Sequence, residues 1–110
     1  MTARDKMALY KSGITRFAHQ DFQGALEDFD AALVLDPEFG DVHQSVAHVH
    51  EKLGDFDAAI ASARKAVECN PNDFLTHTSL SIFYQRKGMI AEAEAEKTLA
   101  AELQQKSPGA

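Results

Sequence analysis

The stretch DFQGALEDFDAALVLDP at residues 21–37 is followed, 34 residues later, by DFDAAIASARKAVECNP at residues 55–71. Several columns keep this step through three periods: Ala25, Ala59 and Ala93; Ala32, Ala66 and Ala100; Phe22, Phe56 and Ile90. A fixed period of this length is typical of stacked supersecondary units, each of which is too small to bury its own apolar face. Because such a stack presents an extended surface, the period predicts a binding protein rather than a catalyst.

Each period predicts two helices. In the first period, the apolar stripe Leu9, Gly13 and Phe17 predicts a helix within residues 1–18. Asp21 is the predicted N-cap of a second helix that ends at Asp36-Pro37. The pattern recurs in the next two periods, and it predicts a last helix from about Ile90 to about Lys106 with a frayed tail at residues 107–110.

Composition and net charge limit which class of protein this is and which partners it is expected to bind. The 110 residues form one domain, 45% of them are apolar, and the net charge is −6. No apolar run is long enough for a transmembrane helix or a secretory signal, so the expected compartment is the cytoplasm. The acidic balance disfavours nucleic acid and anionic lipid, and it favours a neutral or basic protein partner. The single cysteine, Cys69, excludes an internal disulfide and is expected to be a small core residue.

Catalytic motifs are absent from the sequence: there is no glycine-rich phosphate loop, no nucleophile elbow and no His-Glu-x-x-His helix. We therefore expect no enzymatic activity. The acidic group Glu27, Asp28 and Asp30 is interpreted as a solvated outer face of the second helix.

Histidines offer a distant alternative, a metal-dependent sensor. Four of the five stand close in sequence or one period apart: His43, His48, His50 and His77. No cysteine or acid stands where it would complete a set of ligands, so we predict neither a metal nor another cofactor. His43, His50 and His77 are instead expected to pack as neutral imidazoles.

These residues resemble the tetratricopeptide repeat family. Its small residue at repeat position 8 corresponds to Gly13, Ala47 and Ser81, and its small residues at positions 20 and 27 correspond to the two alanine columns. The resemblance implies an all-α, right-handed solenoid of three helix-turn-helix repeats with six helices, at about residues 6–39, 40–73 and 74–107. Arg16 departs from the pattern, because it stands where an aromatic residue is usual. Glu94, Lys97 and Ala101 occupy positions that a further repeat would cover, so the last helix is expected to act as a cap.

The resemblance also implies a concave groove, lined by the first helix of each repeat, in which a non-enzymatic scaffold or adaptor binds a protein or peptide. The candidate partner-binding residues are Tyr10, Ile14, Phe17, Asp41, Gln44, His48, Glu51, Thr78, Ile82, Gln85 and Arg86. Two alternatives stay open. The apolar residues of this set, Tyr10, Ile14, Phe17 and Ile82, could bind a second copy of the chain, giving a homo-oligomer. Alternatively, Tyr10, Ile14 and Phe17 could fill the packing of the first repeat.

One subtype of the family is excluded by the residues at its ligand-binding positions. A clamp for the C-terminal carboxylate of heat-shock chaperones needs lysine, arginine and asparagine, whereas this chain has Tyr10, Ile14, Ser45, Leu75 and Ser79 there. None of these can donate a charge-assisted hydrogen bond to a carboxylate.

Overall fold

The computed structural model describes residues 5–106, which form six α-helices joined by short turns. The helices are α1 (Lys6–Ala18), α2 (Phe22–Leu35), α3 (Gly40–Lys52), α4 (Phe56–Cys69), α5 (Phe74–Arg86) and α6 (Ile90–Gln105). The predicted all-α solenoid of helix pairs is confirmed. Any part of the first helix before residue 5, and the tail at residues 107–110, lie outside the described residues. Within residues 5–106, no helix has both the length and the apolar character needed to cross a membrane.

Carboxylate side chains start four of the six helices. Asp5, Asp21, Asp55 and Asp73 each accept a hydrogen bond from a backbone N–H in the first turn of the following helix. The predicted cap at Asp21 is thus confirmed, with its Oδ1 3.0 Å from the Gly24 nitrogen. Such caps satisfy backbone donors that have no partner inside the helix.

The turn inside each repeat uses one residue with positive φ. Gly54 and Gly88 have φ of 80° and 78°, a conformation that costs glycine little. Gln20 holds the same position in the first repeat at φ 64°. This tight turn returns the second helix of each pair against the first.

Successive helices pack side by side, and the stack measures 49 × 32 × 22 Å. Contacts between alternate helices join the first helices of the repeats: α1 touches α3, and Gln44 of α3 donates a hydrogen bond to Ser79 of α5 at 3.0 Å. Helices α1, α3 and α5 therefore form the inner layer of the solenoid, and α2, α4 and α6 form the outer layer.

Small residues make the close helix crossings possible. The two alanine columns are buried, and Ala25, Ala32 and Ala59 have no exposed surface. Gly13 packs directly on Phe29, because a Cβ atom at residue 13 would clash with the ring. Phe29 and Phe83, both almost completely buried, belong to the two apolar clusters that form the core. Beyond them, Glu94, Lys97 and Ala101 of α6 are exposed, so the face that a further repeat would cover is wettable.

Candidate binding groove

A cavity of about 280 Å³ opens on the inner layer between α1 and α3. Apolar side chains form much of its surface, with Ile14 and Phe17 from α1 and the otherwise buried Phe29 from α2. Four side chains of α3 supply its polar part: Ser45, His48, Glu51 and Lys52. Small-molecule sites usually enclose ~300–1,000 Å³, so this volume suits one or two side chains of a larger ligand.

The three apolar candidates of α1 do not behave alike. Tyr10 is half-buried, with its ring centroid 5.3 Å from that of Phe39 and 6.3 Å from that of Phe29. Phe17 is also half-buried and packs edge-on against Phe22 at 5.6 Å, while it still contributes to the cavity. Ile14 is 42% exposed. Tyr10 thus contributes to the packing of the first repeat, and Ile14 is presented to solvent.

Between α3 and α5 a polar network occupies the corresponding space. Gln44 Nε2 and Ser79 Oγ both lie 3.4 Å from His48 Nε2, and the His48 ring packs edge-on against Phe83 at 5.7 Å. His48 Nδ1 lies 3.3 Å from Glu51 Oε1. Ile82 on α5 is 43% exposed, but it is not among the residues that line the cavity. The structure therefore brings Ile14, His48 and Glu51 together and leaves Ile82 apart from the cavity.

The remaining candidates lie at the surface of the inner helices. Asp41, Thr78, Gln85 and Arg86 are all exposed. The Thr78 hydroxyl donates to the Phe74 carbonyl within its own helix. The guanidinium carbon of Arg86 lies 5.6 Å from the centre of the Phe56 ring, which supports its position at the end of α5.

Arg16 replaces the usual aromatic residue by joining an ionic network away from the cavity. Its Nε lies 3.0 Å from Asp28 Oδ2, and its Nη1 lies 2.9 Å from Asp21 Oδ2. The Ser12 hydroxyl donates to the same oxygen of Asp28 at 2.5 Å. Asp28 is only 8% exposed, so the expectation that it belongs to a solvated acidic face is wrong. The sequence did not predict these contacts of Asp28, because its partners Ser12 and Arg16 lie on a different helix, α1.

The expectation of a neutral packed imidazole is also wrong for His77. Its Nδ1 lies 2.6 Å from Glu96 Oε2 and its Nε2 lies 2.9 Å from the Pro71 carbonyl oxygen, so both ring nitrogens face acceptors. Burial would lower the pKa of His77, but the two hydrogen bonds and the charges of Glu96 and Asp73 outweigh it and raise the pKa above its ordinary value. Because both ring nitrogens face acceptors, the geometry favours the imidazolium form of His77, and its two hydrogen bonds tie α6 and the turn before α5 to α5.

This charge predicts how stability depends on pH. Because the folded pKa of His77 is raised, its stabilisation is complete below the unfolded pKa of about 6.5 and is lost as the pH rises through the folded pKa. The Glu96→Gln variant removes the carboxylate, so its free energy of unfolding should fall less steeply than that of the wild type as the pH rises from about 6. NMR titration of the ring nitrogens should give a His77 midpoint above about 6.5. A midpoint at or below that value would contradict the assignment.

The arrangement of the His, Cys, Asp and Glu side chains of residues 5–106 does not favour a metal site or a reactive thiol. Over residues 5–106, no three His, Cys, Asp or Glu side chains come together in a way that could hold a metal ion. Cys69 is half-buried, with its Sγ 3.5 Å from Glu38 Oε2. Burial and this carboxylate raise the pKa of the thiol, which keeps it protonated at neutral pH.

Comparison with known proteins matches the repeat pattern to one family. A family model described as tetratricopeptide repeat matches residues 10–74, and a second one of the same description matches residues 63–95. The chain is also similar to the photosystem I assembly protein Ycf3 of Synechococcus sp. strain CC9605. The two are 30% identical over 102 residues, which is 88% of this chain and 59% of that protein. The chain thus spans less than two thirds of the length of this relative.

Solved structures share the fold. The crystal structure of MamA superposes with a TM-score of 0.90 at 24% identity, over 93% of this chain and 60% of that one. The Yersinia enterocolitica type III secretion chaperone SycD, in complex with a peptide of the translocator YopD, superposes with a TM-score of 0.86 at 24% identity. That match covers 91% of this chain and 76% of SycD.

Proposed function

The chain belongs to the tetratricopeptide repeat family, and from this premise we propose that it is a non-enzymatic adaptor that binds a segment of another protein in the groove of its inner layer. The observation that carries the proposal is the cavity between α1 and α3. It combines an apolar interior with polar side chains at its edge, which is the usual construction of a protein interface. The peptide-bound structure of SycD supports a ligand of this class on a similar fold.

Ile14 is the side chain on which the proposal depends most. It lines the cavity and remains 42% exposed, so its substitution changes the groove without opening the core. An apolar ligand group that enters the cavity would lose its water on contact with Ile14. A charge at residue 14 would then have to be desolvated, which is strongly unfavourable.

We therefore expect Ile14→Asp to abolish peptide binding while the helical circular dichroism spectrum is retained. The probe is a displayed library of random peptides, selected against the wild type and the variant in parallel. Peptides enriched on the wild type should bind the variant at least about tenfold more weakly. Ile90→Asp is the control with the same chemical change, since Ile90 is exposed at the start of the outer helix α6 and does not line the cavity. Enrichment that is insensitive to residue 14 would contradict the proposal.

Self-association through the same surface is the rival hypothesis, and light scattering over a range of concentrations distinguishes it. The adaptor proposal expects the monomer mass of 12.1 kDa at all concentrations. A mass that rises with concentration in the wild type, but not in Ile14→Asp, would assign the cavity to a second copy of the chain instead.

A further inference from the structure

Charge is unevenly divided between the two layers of helices. The inner helices α1, α3 and α5 contain five basic and two acidic residues, which gives a net charge of +3. The outer helices α2, α4 and α6 contain three basic and nine acidic residues, which gives a net charge of −6. The inner helices are thus basic, and the acidic excess of the chain lies on the outer helices and in the residues between helices.

Three of the inner cations remain available to a ligand. Lys6 pairs with Asp36 at 2.7 Å, and Arg16 pairs with Asp21 and Asp28. The other three, Lys11, Lys52 and Arg86, are exposed and have no carboxylate within ion-pair distance among residues 5–106; the guanidinium of Arg86 packs over the Phe56 ring.

The three cations differ in their relation to the cavity. Lys52 lines the cavity itself, and Arg86 holds the same position one repeat later. Lys11 holds the position of Ser45, which also lines the cavity. Together they provide positive charge beside the cavity and on both inner helices that flank α3.

Two carboxylates of the inner layer oppose this charge only in part. Glu51 accepts from His48 at 3.3 Å, and its side chain is only 22% exposed. Asp41 is exposed, but it lies in the first turn of α3, whereas Lys52 ends that helix. The acids of the outer layer lie about one helix diameter away, ~10 Å, and the Debye length in physiological salt is ~8 Å. Their repulsion at the groove is therefore largely screened.

We infer that the ligand of the groove is an acidic segment of a partner protein, which inserts one large apolar side chain into the cavity and places carboxylates against Lys52 and Arg86. This inference rests on the proposed function and specifies the chemistry of the partner. The net charge of −6 favours a neutral or basic partner, whereas this inference gives the groove an acidic ligand.

The peptide selection tests this inference when it is repeated with two charge-reversed variants. Lys52→Glu combined with Arg86→Glu changes the charge of the inner layer. Lys65→Glu combined with Lys97→Glu makes the same change at exposed residues of α4 and α6, as the matched control. Peptides enriched on the wild type should share a large apolar residue and carry a net negative charge. They should bind the inner-layer variant about tenfold more weakly or worse, should bind the outer-layer variant nearly as well, and should lose affinity as salt is added.

The possible results separate this inference from the proposed function. Peptides that depend on Ile14 but carry no net negative charge would overturn the acidic partner and leave the adaptor in place. Equal losses in the two charge-reversed variants would overturn the assignment of the charge preference to Lys52 and Arg86. If no peptide is enriched in a manner that depends on Ile14, the proposed function fails, and the inference fails with it.

Discussion

Replacement of Phe29 by alanine is expected to lower the free energy of unfolding by about 3–5 kcal/mol. The ring has no exposed surface and belongs to the cluster that joins α1, α2 and α3. Gly13 packs directly against it and has no side chain that could move in to fill the space. Urea denaturation followed by circular dichroism measures the change, and a variant that is unfolded without urea would exceed the expected loss.

Phe22→Ala is the matched control, because it makes the same chemical change in the same helix at a half-buried ring. We expect a clearly smaller loss of stability there. A loss of less than about 1 kcal/mol for Phe29→Ala, or equal losses for both variants, would mean that Phe29 does not form the core of the first repeat.

Ala59→Leu is expected to destabilise the protein by about 1–3 kcal/mol. Ala59 has no exposed surface and lies in the second cluster together with Ala47, Leu80 and Phe83. A larger side chain would force the crossing helices apart, because interiors are closely packed and cannot absorb extra methylene groups. The melting temperature, measured by circular dichroism, should fall accordingly.

Ala61→Leu provides the control, since Ala61 lies in the same helix and is exposed. It should change the stability by no more than about 0.5 kcal/mol. An unchanged melting temperature for Ala59→Leu would show that the alanine column does not mark the close helix crossings.

The helices and their order could be predicted from the sequence because they depend on local signals. The period of 34 residues, the caps such as Asp21 and the glycines of the turns act within one repeat, so each period predicts the same pair of helices. The alanine columns add information on packing. Only small residues fit where two helices cross closely, so the repeated alanines predict which positions are buried.

The details of the groove could not be predicted, because they depend on residues from different helices. Tyr10 and Ile14 have the same periodicity, yet Tyr10 turns toward Phe39 in the turn before α3 and Ile14 remains exposed. The charge on His77 depends on Glu96, which lies on the next helix. The sequence nevertheless contained one signal, because Asp28 and Glu96 hold the same repeat position. In the structure each of them pairs with a residue of the first helix of its repeat, whereas a lone acid on a helix is usually solvated.

The distribution of isoleucine allows one spectrum to test where a partner binds. The sequence contains four isoleucines, Ile14, Ile60, Ile82 and Ile90. Ile14 lines the cavity, Ile60 is in the core, Ile82 is exposed on an inner helix, and Ile90 is exposed at the start of the outer helix α6. Selective labelling of their δ1 methyl groups therefore gives one probe for each region of the molecule.

The most direct test of groove binding is to titrate this labelled protein with a peptide from the selection. We expect the Ile14 methyl signal to shift most, the Ile82 signal to shift less, and the Ile90 signal to stay in place. A titration that moves the Ile90 signal and leaves the Ile14 signal unchanged would place the partner on the outer layer and would contradict the account.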